Sequence, residues 1–153
     1  MEKSEFYQWR SDLMNFDRYE NEEDGKSFVE LARKARGQFD EDVIGVLLDT
    51  FCNEDDYGIQ EAILGVLDDA EPSMYSAVLA KKFTSLLLNA SEQEWPLLIV
   101  GRIINSGDPR RIAPMIQAAA NDKNHLAGGA MDNFIRSSYF TNEYPEIAPY
   151  LQG

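Results

Sequence analysis

The sequence predicts an all-α fold on three observations. Apolar residues recur at helical spacing along the chain, most clearly at Ile112, Met115, Ile116 and Ala119, which occupy i, i+3, i+4 and i+7. The residues ahead of them form a local stop-and-start signal. Gly107 takes φ > 0 and ends the incoming helix, Asp108 caps the next, and Pro109 fits the first helical position, where its missing N–H is harmless. Polar breaks also divide the apolar runs, at Asn53-Glu54-Asp55-Asp56, at Glu71-Pro72-Ser73 and at Asn121-Asp122-Lys123-Asn124.

Taken in order, Phe6, Trp9, Leu13 and Phe16 define a first helix from Ser4 to about Phe16, with Ser4 as its cap. An acid-rich linker, Asp17 to Asp24, leads to a second helix from Lys26 to about Arg36, ended by Gly37. Its bases Lys26, Arg33, Lys34 and Arg36 suit the helix dipole or pair with acids of a neighbouring helix. Asp40 caps a third helix in which Val43, Ile44, Val46, Leu47, Leu48 and Phe51 leave little polar surface. A fourth runs from about Asp56 to Leu67, with Ile59, Ala62, Ile63, Val66 and Leu67 inward and Gln60, Glu61 and Asp68 outward.

Pro72 opens a fifth helix to Asn89, with Tyr75, Val78, Leu79, Phe83, Leu86 and Leu87 inward. Ser91 and Glu94 have capping-box spacing, and Pro96 predicts a bend or a later start for the sixth helix. Leu97 to Ile104 is so apolar that this helix is expected to be the most buried. Gly65 and Gly101, 36 residues apart, are expected at close helix approaches. The seventh helix follows the Gly-Asp-Pro turn. The eighth carries Leu126, Ala127, Ala130, Met131, Phe134 and Ile135, with Gly128 and Gly129 inside it. Ser138 to Gly153 is aromatic and holds a short last helix over Glu146 to Leu151.

The stretch Gly107-Asp108-Pro109-Arg110, with Ile112, Pro114, Met115 and Ile116, then Asn121-Asp122 and an alanine-containing amphipathic helix, resembles a HEAT repeat over roughly Gly107 to Arg136. Pro114 matches the proline that bends the first helix of many such repeats. The resemblance implies a right-handed α-solenoid of about three HEAT-like pairs. Residues 1–37 would cap one end, 38–137 form the pairs and 138–153 cap the other, within one domain, 1–153. It implies a fold and not an activity, since one fold serves many functions.

Composition bounds the chemistry. At 153 residues the chain can bury a core without staples, and 44 % hydrophobic content argues against disorder. A lone Cys52 excludes an internal disulfide and fits a reducing compartment. Met1 to Asp12 is polar and aromatic, unlike a secretory leader, and no apolar run approaches a membrane span, so a cytoplasmic location is expected. With one cysteine and one histidine, His125, the usual four-ligand zinc site cannot be assembled. Asn53 to Gly58 lacks the spacing of a calcium loop, and no phosphate-cradling glycine loop is present. Neither Cys52 nor His125 has the neighbours of a nucleophilic dyad. No metal, no cofactor and no enzymatic activity are expected.

The net charge of −13 is unevenly spread. Residues 1–24 carry −5, 25–37 carry +3, 38–71 carry −11 with no base at all, and 72–153 are balanced. Uniform solvation would not concentrate charge in this way. Such a field repels phosphate backbones and anionic lipid and draws in a basic protein. In size, acidity and HEAT-like build the chain resembles bacterial immunity proteins of contact-dependent or polymorphic toxin systems. That resemblance implies a protein that is monomeric when free and neutralises a cognate basic toxin, often a nuclease. The candidate contact residues are Glu54, Asp55, Asp56, Tyr57, Glu61, Asp68 and Asp69, with Glu92, Glu94 and Trp95 on the next pair. Acids would steer the encounter and neighbouring aromatics would anchor it. The alternative is a HEAT-like scaffold or adaptor that holds a protein or peptide along the fourth, sixth and eighth helices. HEAT-like DNA glycosylases would need a basic groove, and nothing marks the chromophore site of a bilin lyase.

Overall fold

Side-chain capping starts several of the helices in the computed structural model, which describes residues 1–16, 18, 21–54, 58–122 and 129–152. Among these residues the chain forms α1 (Lys3–Asn15), α2 (Glu22–Arg33), α3 (Glu41–Asp49), α4 (Ile59–Leu67), α5 (Pro72–Asn89), α6 (Trp95–Asn105), α7 (Pro109–Asp122), α8 (Ala130–Arg136), α9 (Ser138–Glu143) and a 3-10 helix (Pro145–Leu151), with no strand. Among them no helix is long and apolar enough to cross a membrane.

The Gly-Asp-Pro turn forms as its residues dictate. Gly107 sits at φ +64°, Asp108 Oδ1 accepts from the Arg110 N–H at 2.9 Å, and Pro109 begins α7. Asp40 Oδ1 accepts from the Val43 N–H at 2.8 Å and starts α3. Glu71 caps α5, taking the N–H groups of Ser73 at 3.0 Å and Met74 at 2.8 Å. These two bonds hold the Glu71 carboxyl below its ordinary value. The guanidinium and backbone N–H of Arg110 do the same for Asp108. A carboxyl whose pKa is lowered by folding adds stability above its unfolded value, and the gain is lost as pH falls through the folded value. The urea midpoint is therefore expected to drop below about pH 4, and to drop less steeply in Glu71→Gln/Asp108→Asn.

Several boundaries and side chains differ from expectation. Helix α1 begins at Lys3 without a side-chain capping bond, so Ser4 is not its cap. Helix α2 starts at Glu22, earlier than Lys26, because Asn21 caps it through the Asp24 N–H at 2.9 Å. It ends at Arg33, and a turn carries the chain to Gly37 at φ +77°. Helix α4 starts at Ile59, after Gly58 at φ +94°. The Ser91–Glu94 capping box does not form. The Ser91 hydroxyl donates back to the Leu87 carbonyl, and Glu94 sits at φ +61° ahead of a late-starting α6. Helix α3, with Val43 to Leu48 buried without a break, matches α6 in burial, and Leu98 of α6 is exposed. Gly129 lies outside α8, at its start with φ +68°, while Gly128 and His125 lie outside the described residues. The aromatic C-terminal segment folds as α9, capped by Ser137, followed by the 3-10 helix.

The glycine pair does not mark a helix crossing. A Cβ at Gly65 would meet nothing within 4 Å. A Cβ at Gly101 would lie 2.1 Å from Tyr144 Cζ, so the close approach is between α6 and a ring after α9.

Polar bonds between connections order the helices. Arg36, before α3, pairs with Asp69, before α5, at 2.8 Å. Arg111, in the first turn of α7, reaches the Asp68 carbonyl at 3.3 Å. The connections leading into α3, α5 and α7 therefore share one edge, called here the turn edge. At the opposite, loop edge, Asn53 after α3 accepts from the Glu92 N–H at 3.0 Å, and its carbonyl accepts from Gln93 at 3.2 Å. Helices α3, α5 and α7 thus run side by side in one direction, α3 packed on α5 and α5 on α7. Helix α2 packs on α4, and α6 on both α5 and α7. The core fills the space between, with Phe28, Leu47, Ile63, Leu79, Phe83, Ile99 and Met115 fully buried. At one end α1 lies on α2, held by buried Trp9 and Leu13 and by a 2.8 Å bond from Trp9 Nε1 to the Leu31 carbonyl. At the other end α8, α9 and the 3-10 helix bury Met131, Ile135, Phe140 and Ile147.

Candidate partner-binding surface

The structure separates the candidate acids into two groups. Many acids of the base-free segment 38–71 meet cations contributed by other segments. Asp49 pairs with Lys82 at 3.0 Å, Glu41 with Lys81 at 3.7 Å, and Asp69 with Arg36 at 2.8 Å. Asp68 is the most heavily engaged, with Arg102 at 2.7 Å and Arg111 at 3.3 Å. The Asp68 bond raises the Arg102 pKa above its ordinary value. Beside this cluster burial pushes the Tyr75 phenol upward, helped by the Asp68 charge. Asp68 and Asp69 therefore lie together at the turn edge with their charges matched internally. Glu61 is exposed on α4 within electrostatic range of Arg102 and makes no ion pair among the described residues. Most of these pairs are substantially exposed, where each contributes about 0–1 kcal/mol; their larger effect is on the surface field.

The second group gathers at the loop edge. Glu54, exposed after α3, stands beside Asn53, whose side chain and carbonyl fix Glu92 and Gln93 between α5 and α6. Glu94 follows and accepts from the Tyr139 hydroxyl of α9 at 3.0 Å. The Trp95 ring packs on Phe51 at 5.2 Å between centroids, which ties α6 to the end of α3. Asp55, Asp56 and Tyr57 lie outside the described residues. Of the ten candidates, Glu54, Glu92, Glu94 and Trp95 are thus brought together across the α3–α4 and α5–α6 connections. Trp95 serves there as a half-buried strut.

Sequence reasoning missed Tyr139 and Glu143 at this edge. Tyr139 is half exposed beside Glu94, and Glu143 lies one turn further along α9. Partial burial raises the Tyr139 pKa, followed by its bond to Glu94 and the charges of Glu94 and Glu143. Tyr144 is shifted up in the same sense by burial and by Glu143, Glu94 and Glu146. Leu88, 76 % exposed near the end of α5, and Leu98, one turn into α6, add apolar surface. The aromatic richness of the C-terminal segment was the available signal for Tyr139. Nothing local pointed to Leu88 or Leu98.

The loop-edge position of Glu54 depends on an unexpected buried residue. Gln60, expected to face outward, is fully buried. Its Oε1 accepts from the Cys52 N–H at 2.7 Å and its Nε2 donates to the Glu54 carbonyl at 2.9 Å. Cys52 is half-buried, with its Sγ 3.1 Å from Arg18 Nη2. Among the described residues no group of three or more His, Cys, Asp or Glu side chains is placed to hold a metal ion.

No family model matches the chain, and no curated protein or solved structure gives a significant match.

Proposed function

We propose that this chain is a right-handed α-solenoid of HEAT-like pairs, with α1 and the C-terminal segment as end caps, that binds a basic protein through its loop edge. The same-direction row of α3, α5 and α7, with connections bonded along both edges, supports the solenoid reading. The observation that carries the functional reading is the run of acids along the loop edge: Glu54 and Glu92 meet at Asn53, and Glu94 next to them accepts from half-exposed Tyr139, whose phenol also feels Glu143. Acids there speed encounter and select the partner, while half-exposed Tyr139 supplies an aromatic anchor. The overall charge of −13 opposes nucleic-acid and anionic-membrane binding and favours a cationic protein. The role that fits is inhibition: a cytoplasmic immunity protein, monomeric when free and without catalysis or a cofactor, that captures a basic toxin domain, such as a nuclease, and covers its active site or substrate surface.

A scaffold that holds a protein or peptide on its concave face is the second reading. The internal pairing of Asp49, Asp68 and Asp69 favours it, because it withdraws charge from the surface.

Affinity capture from the native host at low and high salt, with mass spectrometry of the retained proteins, separates the two. The inhibitor reading expects one dominant basic protein whose retention falls with salt and which is toxic when expressed alone. Several unrelated partners indifferent to salt would instead indicate the scaffold.

A further inference from the structure

Between α5 and α7 lies a groove of about 260 Å³. Ala77, Ala80, Pro114 and Ala118 give it an apolar lining of small side chains, and Asn121 and Asp122 line it at the end of α7. Asp122 is only 7 % exposed, and its buried Oδ2 has no hydrogen-bond partner among the described residues. Buried carboxylates are ordinarily paired or hydrogen-bonded, because removing their hydration is unfavourable. The nearby cation Lys81, which also lines the groove, has its ammonium on Glu41 of α3 at 3.7 Å and forms no ion pair with Asp122. Its volume is below the roughly 300 Å³ at which small-molecule pockets begin, so it suits one side chain. Arginine and lysine bury their methylene stems on apolar surface and carry a charged head. The alanine and proline lining suits such a stem, and Asp122 suits the head.

We propose that the α5–α7 groove takes one arginine or lysine side chain of a partner protein, with Asp122 as the counter-charge. The identity of the occupant rests on the basic-partner reading above; the site itself rests on the unpartnered Oδ2 of Asp122 and the shape of the groove. A residue kept for binding at the expense of folding has a recognisable signature: its neutral isostere loses the ligand and does not lose stability.

The test is an NMR titration of the full ¹⁵N-labelled chain with a blocked Gly-Gly-Arg-Gly-Gly peptide, its citrulline analogue as the neutral control, and spermidine as a free amine. The arginine peptide is expected to shift the Ala77, Ala118 and Asn121 amides, and the citrulline peptide to leave them in place. Asp122→Asn is expected to weaken arginine-peptide binding at least tenfold without lowering the melting temperature. Ala77→Leu, which fills the groove and keeps the carboxylate, is expected to block binding as well. Equal binding by Asp122→Asn, a loss of binding accompanied by a lower melting temperature, or a response to spermidine alone would overturn the proposal. Absence of the peptide response with salt-sensitive capture of a basic protein intact removes the groove and leaves the functional reading standing. An arginine-binding groove in a chain that captures no basic protein supports the site and removes that reading.

Discussion

Phe83→Ala is expected to destabilise the protein by about 3–5 kcal/mol, the range for deleting a buried aromatic ring. Phe83 is fully buried near the middle of α5, the helix packed against α3, α6, α7 and α8. Its ring lies 5.1 Å from that of Phe134, which joins the helical row to the C-terminal elements. The alanine variant loses the transfer free energy of the ring and leaves a void that helices held on several sides cannot close. Total stability for a domain is about 5–15 kcal/mol, so the loss is a large share of it. Urea unfolding measures it: the midpoint should fall sharply with the slope little changed. Phe83→Leu should retain most of the lost stability. A loss below about 1 kcal/mol in Phe83→Ala would mean that α5 is not the centre of the core.

Gln60→Ala is expected to have the next largest effect, through polar groups it leaves stranded. The Cys52 N–H and the Glu54 carbonyl both depend on the Gln60 amide, which is fully buried. Leaving a buried donor or acceptor unpaired costs about 1–3 kcal/mol each. Part of that cost would be relieved by the loop opening to water, and the opening has a functional consequence. Asn53, which anchors Glu92 and Gln93, lies between the two bonded positions. The Cys52 amide should therefore exchange with solvent much faster in Gln60→Ala than in the parent, and the Glu92 amide should follow it. Unchanged exchange at Cys52 would show that the loop is held by other contacts. Gln60→Leu keeps much of the volume without the amide, so its loss would isolate the hydrogen bonds from the packing.

What the sequence reveals of this fold follows the range of the interactions involved. The Gly107-Asp108-Pro109 turn and the Asp40 cap are legible because each is satisfied within a few residues of itself. Helical periodicity is local in the same sense, and it locates Phe83 and Leu79 correctly. Gln60 is misread because outward-facing polarity is the usual case; its acceptor and donor duties toward Cys52 and Glu54 arise only once residues 52–54 lie against the start of α4. The Gly101–Tyr144 approach joins α6 to the end of the chain, and no spacing rule relates such positions. Ser137 capping α9 was a readable signal, overshadowed by the prolines and aromatics that follow.

Charge shows the same limit. Counting acids in 38–71 finds the excess and not its partners. Arg102 and Arg111 reach Asp68 from 34 and 43 residues away, and Lys82 reaches Asp49 from 33. Composition therefore overstates the free charge of the turn edge. At the loop edge it understates the importance of Glu94, whose neighbour Tyr139 is 45 residues distant.

The most direct test of the basic-partner account is the association rate of the captured partner with the parent chain and with Glu54→Lys/Glu92→Lys/Glu143→Lys, across a series of salt concentrations. These three glutamates are exposed and make no ion pair among the described residues, so the reversal should leave the fold intact. Steering by surface charge raises association rates by about 10–1,000-fold and is screened by salt. The account predicts that the parent rate falls steeply with salt, and that the variant is at least tenfold slower at low salt and nearly insensitive to it. Equal rates for the two proteins at low salt would contradict the loop edge as the docking surface, and a parent rate independent of salt would contradict electrostatic capture altogether.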